Sequence, residues 1–233
     1  MGRDFMEMEQ FKHLLLEKFG SAVRFIGLQG SRARGEALED SDIDIVVIFD
    51  RLPPERIEAY RLFLETMPQR DKICGFISGE AELKGWDKGE LFQFCHDTIP
   101  VYGDLNTIVS FSQKESAEAA VHAGACAVYH GSVHAFVHGD GAAAVKEICK
   151  SAVFLMQADY FCKTGRYMHK HSDLYPHLGR EEQQIMEAHR KLKEGNCSEE
   201  EMQRLCLLLT EWSSRFLRQE KRALAESERG TAK

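Results

Sequence analysis

The chain has 233 residues, 43% of them hydrophobic and 29% charged, which is the balance of a folded globular protein and excludes a disordered chain. Its formal net charge of −7 excludes the broad basic surface that general nucleic-acid binding needs, while a local basic pocket for a phosphorylated molecule stays compatible with it. No apolar run reaches the ~20 residues of a membrane helix, and the N-terminus lacks the apolar core of a signal peptide. The seven cysteines form no C-x-x-C pair. We therefore expect a cytoplasmic protein with reduced thiols and no membrane partner.

Helix and strand signals alternate through the first half of the chain. Apolar residues at helical spacing predict helical segments at 5–19, 53–67 and 80–86, and one helical turn after Ser31. Short apolar stretches predict strands at 22–28, 43–49 and 72–78, and a short extended piece between Pro100 and Gly103. Residues 91–95 fit either a strand or a helix. This order predicts an α/β (α+β) domain, residues 1–110, with a small mixed sheet flanked by helices.

The second half, residues 111–233, shows a helical period throughout. Helices are predicted at 114–138, 142–164, 181–194 and 199–227, separated by glycine-containing breaks. The change of period near 108–113 therefore predicts a second domain, an all-α helical bundle.

One segment, residues 27–46, carries groups suited to binding phosphate. A strand leads into Gly30-Ser31, where glycine lets the backbone approach a ligand closely and a following helical turn would direct free N–H groups at an anion. The Ser31 hydroxyl and the guanidinium groups of Arg32 and Arg34 suit phosphate oxygens. These four residues are therefore predicted to form a phosphate site.

Asp42 and Asp44 stand two residues apart at the start of the strand predicted at 43–49. The strand period of two places both carboxylates on one face, while Ile43 and Ile45 point into the core. Converging carboxylates repel each other unless a cation joins them, and Mg²⁺ prefers oxygen ligands that it shares with substrate phosphates. A phosphate-holding loop opposite a metal-holding acid pair predicts phosphoryl or nucleotidyl transfer.

The segment of residues 30–44 resembles the signature of minimal nucleotidyltransferases of the polymerase-β type. It begins with Gly30-Ser31-Arg32-Ala33-Arg34-Gly35, and residues 32–41 separate Ser31 from Asp42-Ile43-Asp44. Its form is similar to that of aminoglycoside nucleotidyltransferases and of the nucleotidyltransferase partners of helical HEPN domains. The resemblance implies a nucleoside triphosphate bound with one or two Mg²⁺ ions, Gly30 and Ser31 at its β and γ phosphates, and Asp42 and Asp44 as metal ligands. It also implies transfer of a nucleoside monophosphate, with AMP from ATP expected, to a hydroxyl of an aminoglycoside-like small molecule, and a helical domain that completes the acceptor site.

The family usually adds a third acid from a later strand, as metal ligand or general base. Asp97 is the first choice, on the premise that residues 91–96 form a strand that ends beside Asp42. Glu82 and Glu80, just after the strand predicted at 72–78, are the alternatives. Alternatively, Asp97 has no catalytic role and only caps a turn before Pro100.

Other functions stay open at this point. The domain pair is compatible with an antitoxin or binding module, and with nucleotide transfer to a protein or RNA. Arg166 and His171 have the Arg-x4-His spacing that resembles the RNase motif of HEPN domains, an activity that is less favoured. Histidines at four-residue spacing, His130, His134 and His138, indicate a polar helix face more than a metal site. Several acceptors and nucleotide bases are compatible with the sequence, and so is a homodimer.

Overall fold

A computed structural model describes residues 2–39 and 41–230, and the side chains of residues 8–39 and 41–218. The chain divides into two compact units, Met1–Ser112 and Gln113–Lys233. Hydrophobic clusters form separately in each, two in the N-terminal unit and one in the C-terminal unit.

The N-terminal unit is built on one mixed sheet. Its strands are β1 (Val23–Gln29), β2 (Ile43–Phe49), β3 (Ile73–Gly79) and β4 (Ile99–Tyr102), in the order β3-β2-β1-β4. The central strand β1 pairs antiparallel with β2 and β4, whereas β2 and β3 run parallel. Its helices are α1 (Gly2–Phe19), α2 (Gly30–Arg34), α3 (Pro54–Glu65), α4 (Glu80–Lys84) and α5 (Lys88–Asp97).

Strand β2 is buried on both faces, as its apolar sequence predicts. Ile43 and Ile45 belong to the core that packs against α1 and α3. Val46 and Ile48 belong to the core that packs against α4 and α5. The alternation leaves Asp44 on the same face as Val46, at the end of the strand where the apolar packing stops.

The strand premise for residues 91–96 is wrong, because this segment belongs to helix α5. The Asp87 carboxylate caps the helix by accepting hydrogen bonds from the N–H groups of Gly89 (2.8 Å) and Glu90 (3.2 Å). In the run that suggested a strand, Leu91 and Phe92 are buried and residues 93–95 are partly exposed, and the cap at Asp87, four residues before Leu91, favours the helix.

Between residues 113 and 230 the regular structure of the C-terminal unit is helical. It contains α6 (Gln113–His138), α7 (Ala142–Thr164), α8 (His171–Leu174), α9 (Arg180–Lys193) and α10 (Glu199–Gly230). The four long helices are those predicted, with ends shifted by at most three residues. The short helix α8 was not predicted, because its four residues are too few to show a period.

Small residues of α6 let it pack closely on its neighbours. A Cβ atom at Gly131 would lie 3.0 Å from Cγ1 of Ile148 on α7, so the glycine that weakens the helical pattern serves the packing of α6 on α7. Towards α10, the Ser132 hydroxyl is hydrogen-bonded to that of Thr210 at 2.9 Å. No helix within residues 2–39 and 41–230 is both long enough and apolar enough to cross a bilayer.

His189 of α9 makes the stability of the C-terminal unit depend on pH. Only 5% of its surface is exposed, and burial, with the nearby positive charge of Lys193, lowers its pKa to about 3. The unfolded chain binds a proton at this residue below about pH 6.5, whereas the folded chain does not, so the contribution is full above that pH and is lost as the pH falls towards 3.

We therefore expect the free energy of unfolding of this unit to fall by about 2 kcal/mol between pH 7 and pH 5. Urea unfolding of a Trp86→Phe background reports this unit through buried Trp212, the other tryptophan of the chain. His189→Gln should remove most of the pH dependence, while the exposed-residue control His177→Gln should keep it. An unchanged slope in His189→Gln would assign the effect to other groups.

Candidate active site

Gly30 and Asp44 meet where β1 ends and β2 begins. The register pairs Gln29, the last residue of β1, with Asp44. Gly30 has a φ of +71°, and a Cβ atom there would lie 1.9 Å from Oδ2 of Asp44. Only glycine combines this left-handed conformation with so close an approach. The Gly-Ser turn and the acid pair therefore share one corner of the sheet.

Helix α2 starts at this corner, as the predicted helical turn after the first strand. It is five residues long and includes Ser31. Gly35 ends it with a φ of +70°. Residues 41 and 42 then lead into β2.

The acid pair lies on the solvent side of that corner. Asp42, just before β2, is exposed, and Asp44, its second residue, is partly exposed. Residues 8–39 and 41–218 contain no group of three or more His, Cys, Asp or Glu side chains arranged for one metal ion. Two carboxylates with room for water and phosphate oxygens suit the hard cation Mg²⁺, so the donor set fits the predicted metal.

Two cationic side chains hold the loop that leads into the acid pair. Arg32 donates from Nε to the carbonyl of Asp42 (3.0 Å) and from Nη2 to that of Ser41 (2.9 Å). Lys72 donates from Nζ to the carbonyl of Glu39 (2.9 Å). Arg32 thus fixes the backbone of an acid of the pair.

Arg34, the other arginine predicted to bind phosphate, forms an ion pair close to its own position in the sequence. Its Nε lies 3.2 Å from Oε2 of Glu36, and its side chain is 12% exposed. Both arginines therefore make contacts within residues 32–42, contacts that the sequence pattern did not predict.

Asp97 ends α5 at the same end of the sheet and is buried. The next residue, Thr98, accepts a hydrogen bond from Nε2 of Gln29 (2.6 Å) and donates one to the carbonyl of Phe94 (2.5 Å). Asp97 thus stands on the β4 side of Gln29, while Asp44 stands on its β2 side. The end of β1 therefore lies between the chain positions of Asp97 and Asp44.

The parallel pairing of β2 and β3 moves Glu80 and Glu82 away from the acid pair. Cys74 is the register partner of Asp44, and the two glutamates follow Gly79 at the far end of β3, about 20 Å along the strand. The alternative third acid Glu82, and Glu80 with it, therefore do not reach Asp44. The strand position beside Asp44 carries the exposed thiol of Cys74 instead of an acid.

The Arg-x4-His pair lies in the connection between α7 and α8. Arg166 is exposed and follows Gly165, which ends α7 with a φ of +70°. His171 is the first residue of α8. Buried Gln157 donates a hydrogen bond to the carbonyl of Met168 (2.7 Å) and so fixes this connection against α7.

Residues 8–99 match the family described as "Nucleotidyltransferase domain". The N-terminal unit therefore contains a nucleotidyltransferase domain, and the resemblance drawn from residues 30–44 is confirmed.

Sequence relatives cover parts of the chain. A putative protein adenylyltransferase of Methanocaldococcus jannaschii is 37% identical over 70 residues, which are 30% of this chain and 44% of that protein. The protein adenylyltransferase MntA of Thermococcus cleftensis is 57% identical over 42 residues, 18% of this chain and 40% of that protein. The match thus spans less than half of the length of either relative.

A solved structure matches nearly the whole fold. The spectinomycin adenyltransferase AAD(9) of Enterococcus faecialis, determined with ATP and spectinomycin, superposes with a TM-score of 0.60 at 12% sequence identity, over 91% of this chain and 98% of that chain. At this identity the similarity establishes the fold alone. The predicted fold class, a small mixed sheet with helices followed by a helical unit, is confirmed.

Proposed function

We propose that the chain is an enzyme that transfers AMP from ATP to a hydroxyl group. The observation that carries the proposal is the contact of Gly30 with Asp44, which joins the phosphate-binding turn to the acid pair. The match of residues 8–99 to the nucleotidyltransferase domain supports the reaction, and the names of the relatives support AMP as the transferred group.

In the proposed reaction, the acceptor oxygen attacks the α-phosphorus of ATP. A P–O bond to the acceptor forms, the bond between the α- and β-phosphates breaks, and pyrophosphate leaves. Gly30 and Ser31 bind the β- and γ-phosphates, and Asp42 and Asp44 hold the Mg²⁺. When bound, Mg²⁺ supplies neutralisation of the phosphate charge that grows in the transition state.

The remaining predicted site residues have supporting parts in this proposal. Asp97 accepts the proton of the acceptor hydroxyl, because the described side chains form no three-acid group in which it would share the metal ion. Arg32 holds the carbonyl of Asp42 and so positions the acid pair, while its charge and that of Arg34 favour phosphate at this corner. The C-terminal unit contributes the acceptor side.

A small cationic molecule of the aminoglycoside type is our first candidate for the acceptor. The fold match extends over both units to a spectinomycin adenyltransferase, and the net charge of −7 attracts cationic molecules. A protein hydroxyl is the second candidate, because both sequence relatives are named protein adenylyltransferases.

The test is a transfer assay with Mg²⁺ and ATP labelled at the α-phosphate. One arm offers spectinomycin and aminoglycosides, and a second arm offers purified proteins and the chain itself. Label on a small molecule supports the first acceptor, and label on a protein hydroxyl supports the second. The other three nucleoside triphosphates, labelled in the same way, test the preference for AMP.

Two results would contradict the proposed function. Absence of transfer to any acceptor, with ATP binding shown by calorimetry, would leave a binding or antitoxin module. In a parallel incubation with labelled RNA, cleavage that is lost in His171→Ala would make the C-terminal unit the active one.

A further inference from the structure

We propose that His134 and His138 of α6, with Asp140 behind His134, form a binding site for a divalent transition-metal ion. The site lies wholly in the C-terminal unit and is independent of the proposed nucleotide transfer. Its ligands are imidazole nitrogens, so it selects Cu²⁺, Ni²⁺ or Zn²⁺ and not the Mg²⁺ expected at the carboxylates of the other unit.

The two histidines are placed as neighbouring ligands by the helix itself. Residues four apart lie on one face of a helix, one turn from each other. The ring centroids of His134 and His138 are 4.4 Å apart, and the ring of His130, one turn earlier, is 6.1 Å from that of His134. All three side chains are exposed, so a metal ion reaches them from solvent.

Asp140 completes the arrangement by orienting His134. Gly139 ends α6 with a φ of +71°, and the N–H groups of Gly139 and Asp140 both donate to the carbonyl of Ala135 (3.0 and 3.1 Å). This cap folds the chain back over the last helical turn and places Oδ2 of Asp140 2.9 Å from Nδ1 of His134.

The contact between Asp140 and His134 determines which nitrogen is free. A carboxylate beside Nδ1 holds a proton there, which leaves the lone pair of Nε2 for a metal ion. Carboxylate–imidazole–metal arrangements of this kind are common in protein metal sites. Because the described side chains include no three-ligand group, water completes the coordination, and a readily exchanging site of moderate affinity follows.

The test measures binding of Ni²⁺ to the full chain by calorimetry in excess Mg²⁺. We expect His134→Ala and His138→Ala each to weaken binding by about 100-fold, and Asp140→Asn, which removes no ligand, by about tenfold. Zn²⁺ and Cu²⁺ should follow the order of intrinsic stability, with Cu²⁺ bound most tightly. His13→Ala, which removes an exposed histidine of α1, is the matched control and should bind as the wild type does.

A spectroscopic measurement identifies the ligands directly. After accessible thiols are blocked with iodoacetamide, the paramagnetic resonance spectrum of bound Cu²⁺ should show coupling to two imidazole nitrogens, and His138→Ala should lose one of them. Unchanged Ni²⁺ affinity in His134→Ala and His138→Ala, or an equal loss in His13→Ala, overturns the proposal.

Discussion

Asp44→Asn should lower the rate of nucleotide transfer by about 10³-fold, which corresponds to about 4 kcal/mol of transition-state stabilisation. Asp44 is one of two carboxylates at the corner of the sheet, and its oxygen contacts the Gly-Ser turn. The amide keeps the shape of the side chain but removes the charge that, in the proposed reaction, would hold Mg²⁺ against the phosphates. The measurement is the initial rate of transfer from labelled ATP at saturating acceptor.

Asp50→Asn is the matched control, because Asp50 directly follows the other end of β2 and pairs with Arg56. It should retain activity within about twofold, since surface ion pairs of this kind contribute little. Thermal unfolding of both variants separates loss of chemistry from loss of fold. Transfer by Asp44→Asn within tenfold of the wild type would refute the metal-ligand role of Asp44.

Gly30→Ala should lower the same rate by about 10²-fold or more, because a misplacement of about 1 Å at a reacting centre costs that much. The new methyl group would fall 1.9 Å from the Asp44 carboxylate, so either that carboxylate or the turn must move. The left-handed φ of +71° adds about 1–2 kcal/mol of backbone strain.

Gly35→Ala separates the strain from the contact. Gly35 has a φ of +70° at the other end of the same short helix, and a Cβ atom there meets nothing within 4 Å. Both variants should lose a similar amount of stability in thermal unfolding, while only Gly30→Ala should lose most of its activity. Equal activity of the two variants would show that the contact with Asp44 is dispensable.

The placement of the Gly-Ser turn beside the acid pair could be predicted because the signals of both are local. A glycine predicts a sharp strand-to-helix turn, and aspartates that alternate with isoleucines predict which face of the strand they occupy. Both inferences need only a few neighbouring residues. The structure accordingly places Gly30 against Asp44 and buries Ile43 and Ile45 on the opposite face. The four long helices of the C-terminal unit were predictable for the same reason, since their periods are long and uninterrupted.

The surroundings of the site depend on contacts between residues distant in sequence, which no local pattern encodes. Whether an acid of β3 reaches Asp44 depends on the register of the parallel pair β2–β3. The connection through helix α3 permits more than one register. The observed register places Cys74 beside Asp44. Arg32 was predicted from its charge to bind phosphate, and in the structure its guanidinium also donates to the backbone carbonyls of Ser41 and Asp42. Every residue has a backbone carbonyl, so the residue types in the sequence do not indicate which carbonyls accept these hydrogen bonds.

The hydrogen bonds of Arg32 have a consequence for how such a domain diverges. Together with the contact of Gly30 with Asp44, they join the two ends of residues 30–44, and Lys72 adds a hydrogen bond to this loop from outside it. Much of the geometry of this corner is therefore set by a short stretch, and substitutions elsewhere are tolerated as long as the sheet and the Lys72 contact persist. A solved structure that has this fold over 91% of the chain at 12% identity shows that very different sequences can form it.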